Sequence, residues 1–238
     1  MGCRSTARTH IGAVRRRNED AVLDRAEIGL WAVADGAGGH ERGEYASRRI
    51  MELLAEIDAT LSGPRRINQV KSRLALANSQ LRAKAAAIGP DALVCSTVVV
   101  LLIESGEACT LWAGDSRLYL MRAGCLRQLT RDQSHVQNLV DAGEITREDA
   151  SRHPLSNIVT NMVGAFDQLV LEERRNRLEP GDILLLCSDG LSGVVDEAEI
   201  AAALSGSPSS AAADRLIECA LAQRAHDNVS AVVVEYVP

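Results

Sequence analysis

Lysine is nearly absent from this 238-residue chain: only Lys71 and Lys84 occur, and arginine supplies the rest of the 26 basic residues. Set against 32 acidic residues they leave a net charge of −6, which argues against a nucleic-acid binder held by phosphate neutralisation. Aromatic residues are only 3%, so the core must be mostly aliphatic. No C-x-x-C pair exists among the cysteines Cys3, Cys95, Cys109, Cys125, Cys187 and Cys219. Most of them sit in apolar runs and are expected as reduced, small hydrophobes. The histidines (His10, His40, His135, His153, His226) show no ligand spacing, which disfavours zinc. The longest apolar runs reach about half of a membrane span, which excludes a transmembrane helix. With no signal peptide in view, a cytoplasmic protein is expected. The opening Met1-Gly2-Cys3-Arg4-Ser5-Thr6 matches the myristoylation pattern, a six-residue match that arises often by chance. Two nucleophile signatures are also missing: a G-x-S-x-G elbow, and a cysteine followed by a five-residue loop and arginine.

Apolar residues make up 46% and charged residues 24%, the balance of a folded globular chain. A chain this long buries roughly 70–75% of its unfolded surface and needs no disulfide or metal staple. No repeat or low-complexity linker divides it, so one domain over 1–238 is expected. Short strands are predicted over 7–14, 20–24 and 28–35, then a helix from Gly43 to Leu61. After the break at Ser62-Gly63-Pro64 a second helix carries Ile67, Val70, Leu74, Leu81 and Ile88 on one face. A meander over 94–104, 107–113, 117–122 and 125–129 follows, with a mixed, polar helical excursion over 134–151. Strand signals return at 157–163, 168–176 and 182–188, then two helices at 196–204 and 209–224, split by Ser205-Gly206-Ser207-Pro208, and a closing strand at Val229–Tyr236. Long strands with few crossover helices fit antiparallel sheets better than a doubly wound parallel one. The fold class expected is α+β, a four-layer α-β-β-α sandwich with a helix pair on each outer face.

Four aspartates share one setting, an apolar strand that ends in small residues: Asp35 before Gly36, Asp115 after Gly114, Asp189 before Gly190, and Asp227 before Asn228. Each taken singly is also what a capped turn would show. Together, at strand ends that converge on one rim, they would repel one another unless a cation neutralised them. Oxygen-only ligands favour a hard ion such as Mg²⁺ or Mn²⁺. The loop Asp35-Gly36-Ala37-Gly38-Gly39-His40 lacks the Lys-Ser/Thr of a P-loop, and its glycines suit close approach of backbone to a metal. In Arg15-Arg16-Arg17, which taken alone reads as a solvated turn, an arginine beside a carboxylate-metal cluster is suited to a bidentate phosphate grip. A water activated by divalent ions is the nucleophile consistent with these residues.

These motifs resemble the metal-dependent protein phosphatases of the 2C type in their compact bacterial form. Matching segments run from Ala7 to Tyr236: Arg15-x-x-Asn18-Glu19-Asp20, Val33 to His40 with Gly43-Glu44 and Ala46-Ser47, and Ser96-Thr97. Then come Gly114-Asp115-Ser116-Arg117-x-Tyr119, Leu129-Thr130-x-Asp132, Gly181-Asp182 through Leu191, and Asp227-Asn228-Val229-Ser230. The resemblance implies hydrolysis of phosphoserine and phosphothreonine monoesters in proteins, in one step, by a hydroxide bridging two Mn²⁺ or Mg²⁺ ions. Asp35 would bridge the two ions, the Gly36 carbonyl would bind the second, and Asp189 and Asp227 would complete the first. Glu19 would hold a metal-bound water and Arg15 would grip the substrate phosphate. Asp115, with Asp189, would match a third ion site, and Val136 to Met162 would form a mobile flap beside it. The implied partners are a phosphoprotein substrate and an opposing serine/threonine kinase. Some relatives of this size act on a forkhead-associated-domain protein of type VI secretion. Two departures stand out. Ala37 replaces the methionine of bacterial members and the histidine proposed as general acid in eukaryotic ones, and Gln133 replaces a histidine. The alternatives weighed are a pseudophosphatase acting as a phosphoprotein-binding module, which intact metal positions oppose, and a two-metal diesterase or nuclease, which the net charge opposes.

Overall fold

In the computed structural model, which describes residues 2–38, 41–150, 152–205 and 209–237, side-chain alternation along the strands sets the layers. Strand β3 (Leu30–Ala37) sends Leu30, Ala32 and Ala34 to one face and Trp31 and Val33 to the other. It lies between β2 (Asp20–Arg25) and β5 (Val98–Glu104), followed by β6 (Glu107–Ala113) and β9 (Glu172–Arg177). The short β4 (Cys95–Ser96) pairs with the end of β3. The second sheet runs in the order β1 (Gly2–His10), β11 (Val229–Val237), β10 (Ile183–Cys187), β7 (Arg117–Arg122) and β8 (Cys125–Gln128). All the strand pairs described are antiparallel.

Between the sheets Trp31, Val99, Leu101 and Trp112 meet Leu118, Leu184, Leu186, Val232 and Val234, all buried. Outside the first sheet, Leu30, Val100 and Leu111 pack under α1 (Glu41–Ala55) and α2 (Gly63–Ile88) through Ile50, Leu54, Leu74 and Leu81. Outside the second, Leu185 and Val233 pack under α5 (Asp189–Ser192), α6 (Glu197–Leu204) and α7 (Ser209–Ala222). This is the α-β-β-α sandwich, and both sheets have a helical and a sheet-facing side because period-2 strands are apolar on both faces.

Several boundaries differ from the sequence-based expectation. The first helix stops at Ala55, short of Leu61, because Asp58 folds back to accept hydrogen bonds from the Thr60 amide and hydroxyl, both at 2.8 Å. Ile57 is buried, so its helical spacing reflects a continuing core rather than a continuing helix. The segment 157–163 is no ladder strand, and gives only the bridges Ser134↔Val159 and Ser96↔Val163. The strand expected over 7–14 is β1, which ends at His10 and begins at Gly2. The strand expected over 168–176 begins only at Glu172. The polar excursion resolves into α3 (His135–Asp141) and α4 (Arg147–Ala150). Met1 of the myristoylation pattern, Gly39 and His40 of the glycine loop, Ser151 in the excursion, and Gly206 to Pro208 between the last two helices lie outside the described residues.

One buried charge in the second sheet gives a stability prediction. Asp182 has a side chain only 1% exposed, and Arg122 holds it with two bonds of 2.8 and 2.6 Å. Removing the guanidinium leaves the buried carboxylate with only the Glu179 amide, which donates to its Oδ2 at 2.8 Å. Arg122→Ala is therefore expected to lower unfolding free energy by about 2–4 kcal/mol, read as a lower urea midpoint with unchanged slope.

Candidate active site

Antiparallel register places two carboxylates side by side at the mouth of the first sheet, since Asp20 of β2 lies opposite Asp35 of β3. The backbone beyond them is closely packed. The Gly36 amide donates to the Glu19 carbonyl at 3.2 Å, and a Cβ on Gly36 would come within 2.1 Å of the Gly43 carbonyl oxygen. Only glycine allows α1 to sit this near the strand end. Asp35 is anchored through its main chain: its amide donates to Thr97 Oγ1 at 3.1 Å, and its carbonyl accepts from Ser96 Oγ at 2.9 Å and the Thr97 amide at 2.9 Å.

The other sheet delivers the rest. Asp189 follows β10 as the first residue of α5, whose Gly190 lies against the Asn228 carbonyl, 1.9 Å from where a Cβ would stand. Asp227 precedes β11, and its Oδ2 accepts from Arg15 Nη2 at 2.7 Å. Asn228 fixes the arginine loop by donating to the carbonyls of Ile11 and Arg17, both at 2.9 Å, and accepting from the Glu19 amide at 2.7 Å. Asp115 sits in the turn between β6 and β7, where Gly114, at φ +110°, lies against Thr97.

The electrostatics describe one acidic centre. Burial, with Asp20, Asp189 and Asp115 as charged neighbours, holds the Asp35 carboxyl well above the usual range. Burial and the nearby Asp189 and Asp132 push Asp115 up to about 8. Asp20 rises to about 7 for the same reason, although Ser188 and Ser230 hydroxyls donate to its Oδ2 at 2.8 and 2.6 Å. Asp189 is raised chiefly by burial. The Oδ1 atoms of Asp20 and Asp189 are buried with no hydrogen-bond partner. Among the described residues no group of three or more such side chains is drawn tightly enough to grip an ion as it stands. Asp227 is turned to Arg15. The donor set still fits hard divalent cations: it is oxygen only, carries orphaned buried oxygens, and can ionise fully only beside positive charge.

The sign of these shifts yields a second prediction. A carboxyl whose folded value exceeds its unfolded one keeps its proton in the fold, so stability falls as pH rises through that interval. For Asp115 and Asp20 the interval runs from about 4 to about 8 and about 7 respectively. Chelator-treated protein is expected to be less stable to urea at pH 8 than at pH 5.5, with Asp115→Asn shrinking the difference.

The sequence-predicted residues Arg15, Glu19, Asp35, Gly36, Asp115, Asp189 and Asp227 thus fall in one neighbourhood of strand ends. Sequence reasoning left out Asp20 as a member of the centre. Its signal was available, because a strand starting at Asp20 pairs it with Asp35 across a hairpin. It also left out the ion pair beside Asp115, in which Arg117 donates to both oxygens of Asp132 at 3.0 and 2.7 Å and to Tyr119 Oη at 2.8 Å. Between this centre and the segment 136–157 opens a cleft of about 550 Å³, lined by Asp115, Asp189, Val136, Val140, Arg147 and Asn157.

A family model described as protein phosphatase 2C matches residues 8–230. The serine/threonine protein phosphatase PstP of Mycobacterium tuberculosis is 37% identical over 98% of this chain, and the chain spans only 45% of that relative. The solved structure of PppA, described as a key regulatory component of the type VI secretion system in Pseudomonas aeruginosa, is 41% identical. It superposes with a TM-score of 0.92, covering 99% of this chain and 98% of that one. The PstP catalytic domain in complex with two manganese ions superposes with a TM-score of 0.90 at 35% identity, covering 100% and 99%.

Proposed function

The chain belongs to the protein phosphatase 2C family, and from that premise we propose that it is a metal-dependent phosphatase of phosphoserine and phosphothreonine in proteins. The single observation that carries the reading is the buried acidic centre, in which Asp20 and Asp35 lie side by side at the end of one sheet and Asp20 accepts from Ser188 and Ser230 of the other. Residues 1–238 act as one catalytic domain, with 136–162 as its flap. The PstP domain named with two manganese ions supports Mn²⁺ or Mg²⁺ here. Asp35, the Gly36 carbonyl, Asp189 and Asp227 would hold two such ions, and Asp115 with Asp189 would hold a third. When bound, such ions supply Lewis acidity that activates water and neutralises charge on the phosphoryl oxygens.

The chain's own groups do the positioning. Glu19, held at its amide by Asn228, keeps a water ordered beside the phosphorus. Arg15 carries two tasks. Against Asp227 its guanidinium stays charged, a state that this carboxylate and then Glu19 and Asp35 reinforce. Once the carboxylate is engaged elsewhere, the same fork is free for phosphate oxygens. Arg15→Ala is expected to raise KM for a phosphothreonine peptide about 10-fold or more, the weight of a lost charge-assisted bond. Arg16→Ala and Arg17→Ala are the controls. Equal losses at those positions would make the triplet a diffuse basic patch.

The opposing enzyme is a bacterial serine/threonine kinase, and the cytoplasm is where the two act, a reading supported by six free cysteines. Among the described residues no helix is long and apolar enough to cross a membrane. The similarity to PppA, a regulatory component of type VI secretion, supports a part in that system, and the substrate proposed there is a phosphorylated forkhead-associated-domain protein. The function is tested by supplying phosphoserine, phosphothreonine and phosphotyrosine peptides and a phosphodiester, each with Mn²⁺. Phosphate release confined to the first two is expected, and preferential cleavage of the diester would refute the reading.

A further inference from the structure

Gln133 is buried, and its side-chain amide has a partner on three different segments. Its Oε1 accepts from the Gly114 amide at 2.9 Å and from Asn161 Nδ2 at 2.8 Å, while its Nε2 donates to Glu172 Oε1 at 2.9 Å. Its main chain adds two bonds, Gln133 N to the Gly114 carbonyl at 3.0 Å and Thr160 N to the Gln133 carbonyl at 2.7 Å. One partner immediately precedes Asp115. Two others, Thr160 and Asn161, stand at the point where the segment 136–162 returns to the body. The base of that segment is closed beside it by the Ser134↔Val159 bridge. Neither a carboxylate nor a neutral imidazole fits this set of demands. A carboxylate lacks the donor for Glu172, and a neutral imidazole accepts once where two acceptances are needed.

We propose that Gln133 is a positioning residue that joins the base of the 136–162 segment to the Asp115 turn, so that seating a phosphopeptide under that segment and holding Asp115 in place are one event. The proposal rests on the phosphatase reading above. From Gly114 the connection continues through packing and hydrogen bonds. Gly114 lies against Thr97, Thr97 Oγ1 pairs with Ser116 Oγ at 2.7 Å, and Thr97 also receives the Asp35 amide. A displacement at Asn161 is therefore transmitted to Asp115 through a buried amide bonded to three segments at once.

The test uses Gln133→Leu in the whole chain with Mn²⁺ present. Amide hydrogen exchange over 158–161 is expected to quicken about 10-fold or more, as a local bond network opens. On a phosphothreonine peptide kcat is expected to fall about 10-fold, the scale of a small misplacement of the reacting groups. On an aryl phosphate, which needs no seating of a peptide, the loss is expected to be smaller. In an Asp115→Asn background Gln133→Leu should cost nothing more, because both act through one residue. The pair Gln133→Glu with Glu172→Gln should restore the wild-type values, since a carboxylate at 133 accepts twice and an amide at 172 donates. Unchanged exchange, equal losses on both substrates, or an undiminished loss in the Asp115→Asn background would each overturn the proposal. If Gln133→Leu does not fold, Asn161→Ala removes the segment's side of the joint and carries the same three readouts. Wild-type protein that hydrolyses no monoester would refute the phosphatase reading alone, and the exchange measurement would still decide the joint.

Discussion

Asp35→Asn is expected to abolish phosphopeptide turnover, by about 10³-fold or more, while leaving a folded protein. The change is isosteric, and the bonds that hold residue 35 in place are made by its main chain to Ser96 and Thr97, so the strand end survives. What disappears is the charge proposed to serve two cations at once. The metal-free variant should also be more stable than wild type at neutral pH. In wild type the Asp35 carboxyl is buried among Asp20, Asp189 and Asp115, and folding opposes its ionisation above the unfolded value. Lost activity with a raised melting temperature in chelator is a signature that a merely structural turn aspartate would not give. An Asp35→Asn protein fully active in Mn²⁺ or Mg²⁺ would remove Asp35 from the site.

Asp115→Asn is the second large effect, and it is expected to depend on the substrate. Asparagine caps turns nearly as well as aspartate, so a structural role at the β6–β7 turn would survive the change. Serine and threonine alkoxides need a proton as they leave, and Ala37 carries none. The leaving-group side of the site therefore depends on what Asp115 and Asp189 hold. Turnover of a phosphothreonine peptide should fall about 100-fold, a typical contribution of acid assistance. An aryl phosphate, whose phenolate leaves unaided, should lose much less. Calorimetry should still find two tightly bound ions. Near-wild-type rates on both substrates would reduce Asp115 to a turn residue.

The parts of this molecule legible in the sequence are those carried by local chemistry. β3 announced itself through an apolar run ending in Asp35-Gly36, and its neighbours in the core follow from period-2 alternation. The four strand-end aspartates could be grouped because the same small-residue setting recurs around each. Other features are created only by long-range packing. Asp20 becomes part of the acidic centre because Ser188 and Ser230, far along the chain, converge on it from the opposite sheet. The segment 157–163 reads as a strand by composition, yet offers only single bridges, because its hydrogen bonds go to Gln133, His135 and Ser96 rather than to a ladder. Gln133 looked like a mere departure from a family pattern. Its role depends on Gly114, Asn161 and Glu172, which the sequence does not bring together. The arginine loop shows the same limit, since nothing in Arg15-Arg16-Arg17 says which of the three meets Asp227.

The most direct measurement of the central claim is inorganic phosphate released from a phosphothreonine peptide as Mn²⁺ is returned to chelator-treated protein. The account predicts no release in chelator, and turnover that rises and saturates as the Asp35, Asp189 and Asp227 carboxylates take up ions, in parallel with binding followed by calorimetry. Release that proceeds undiminished in chelator, or protein that binds two ions and releases no phosphate, would contradict it.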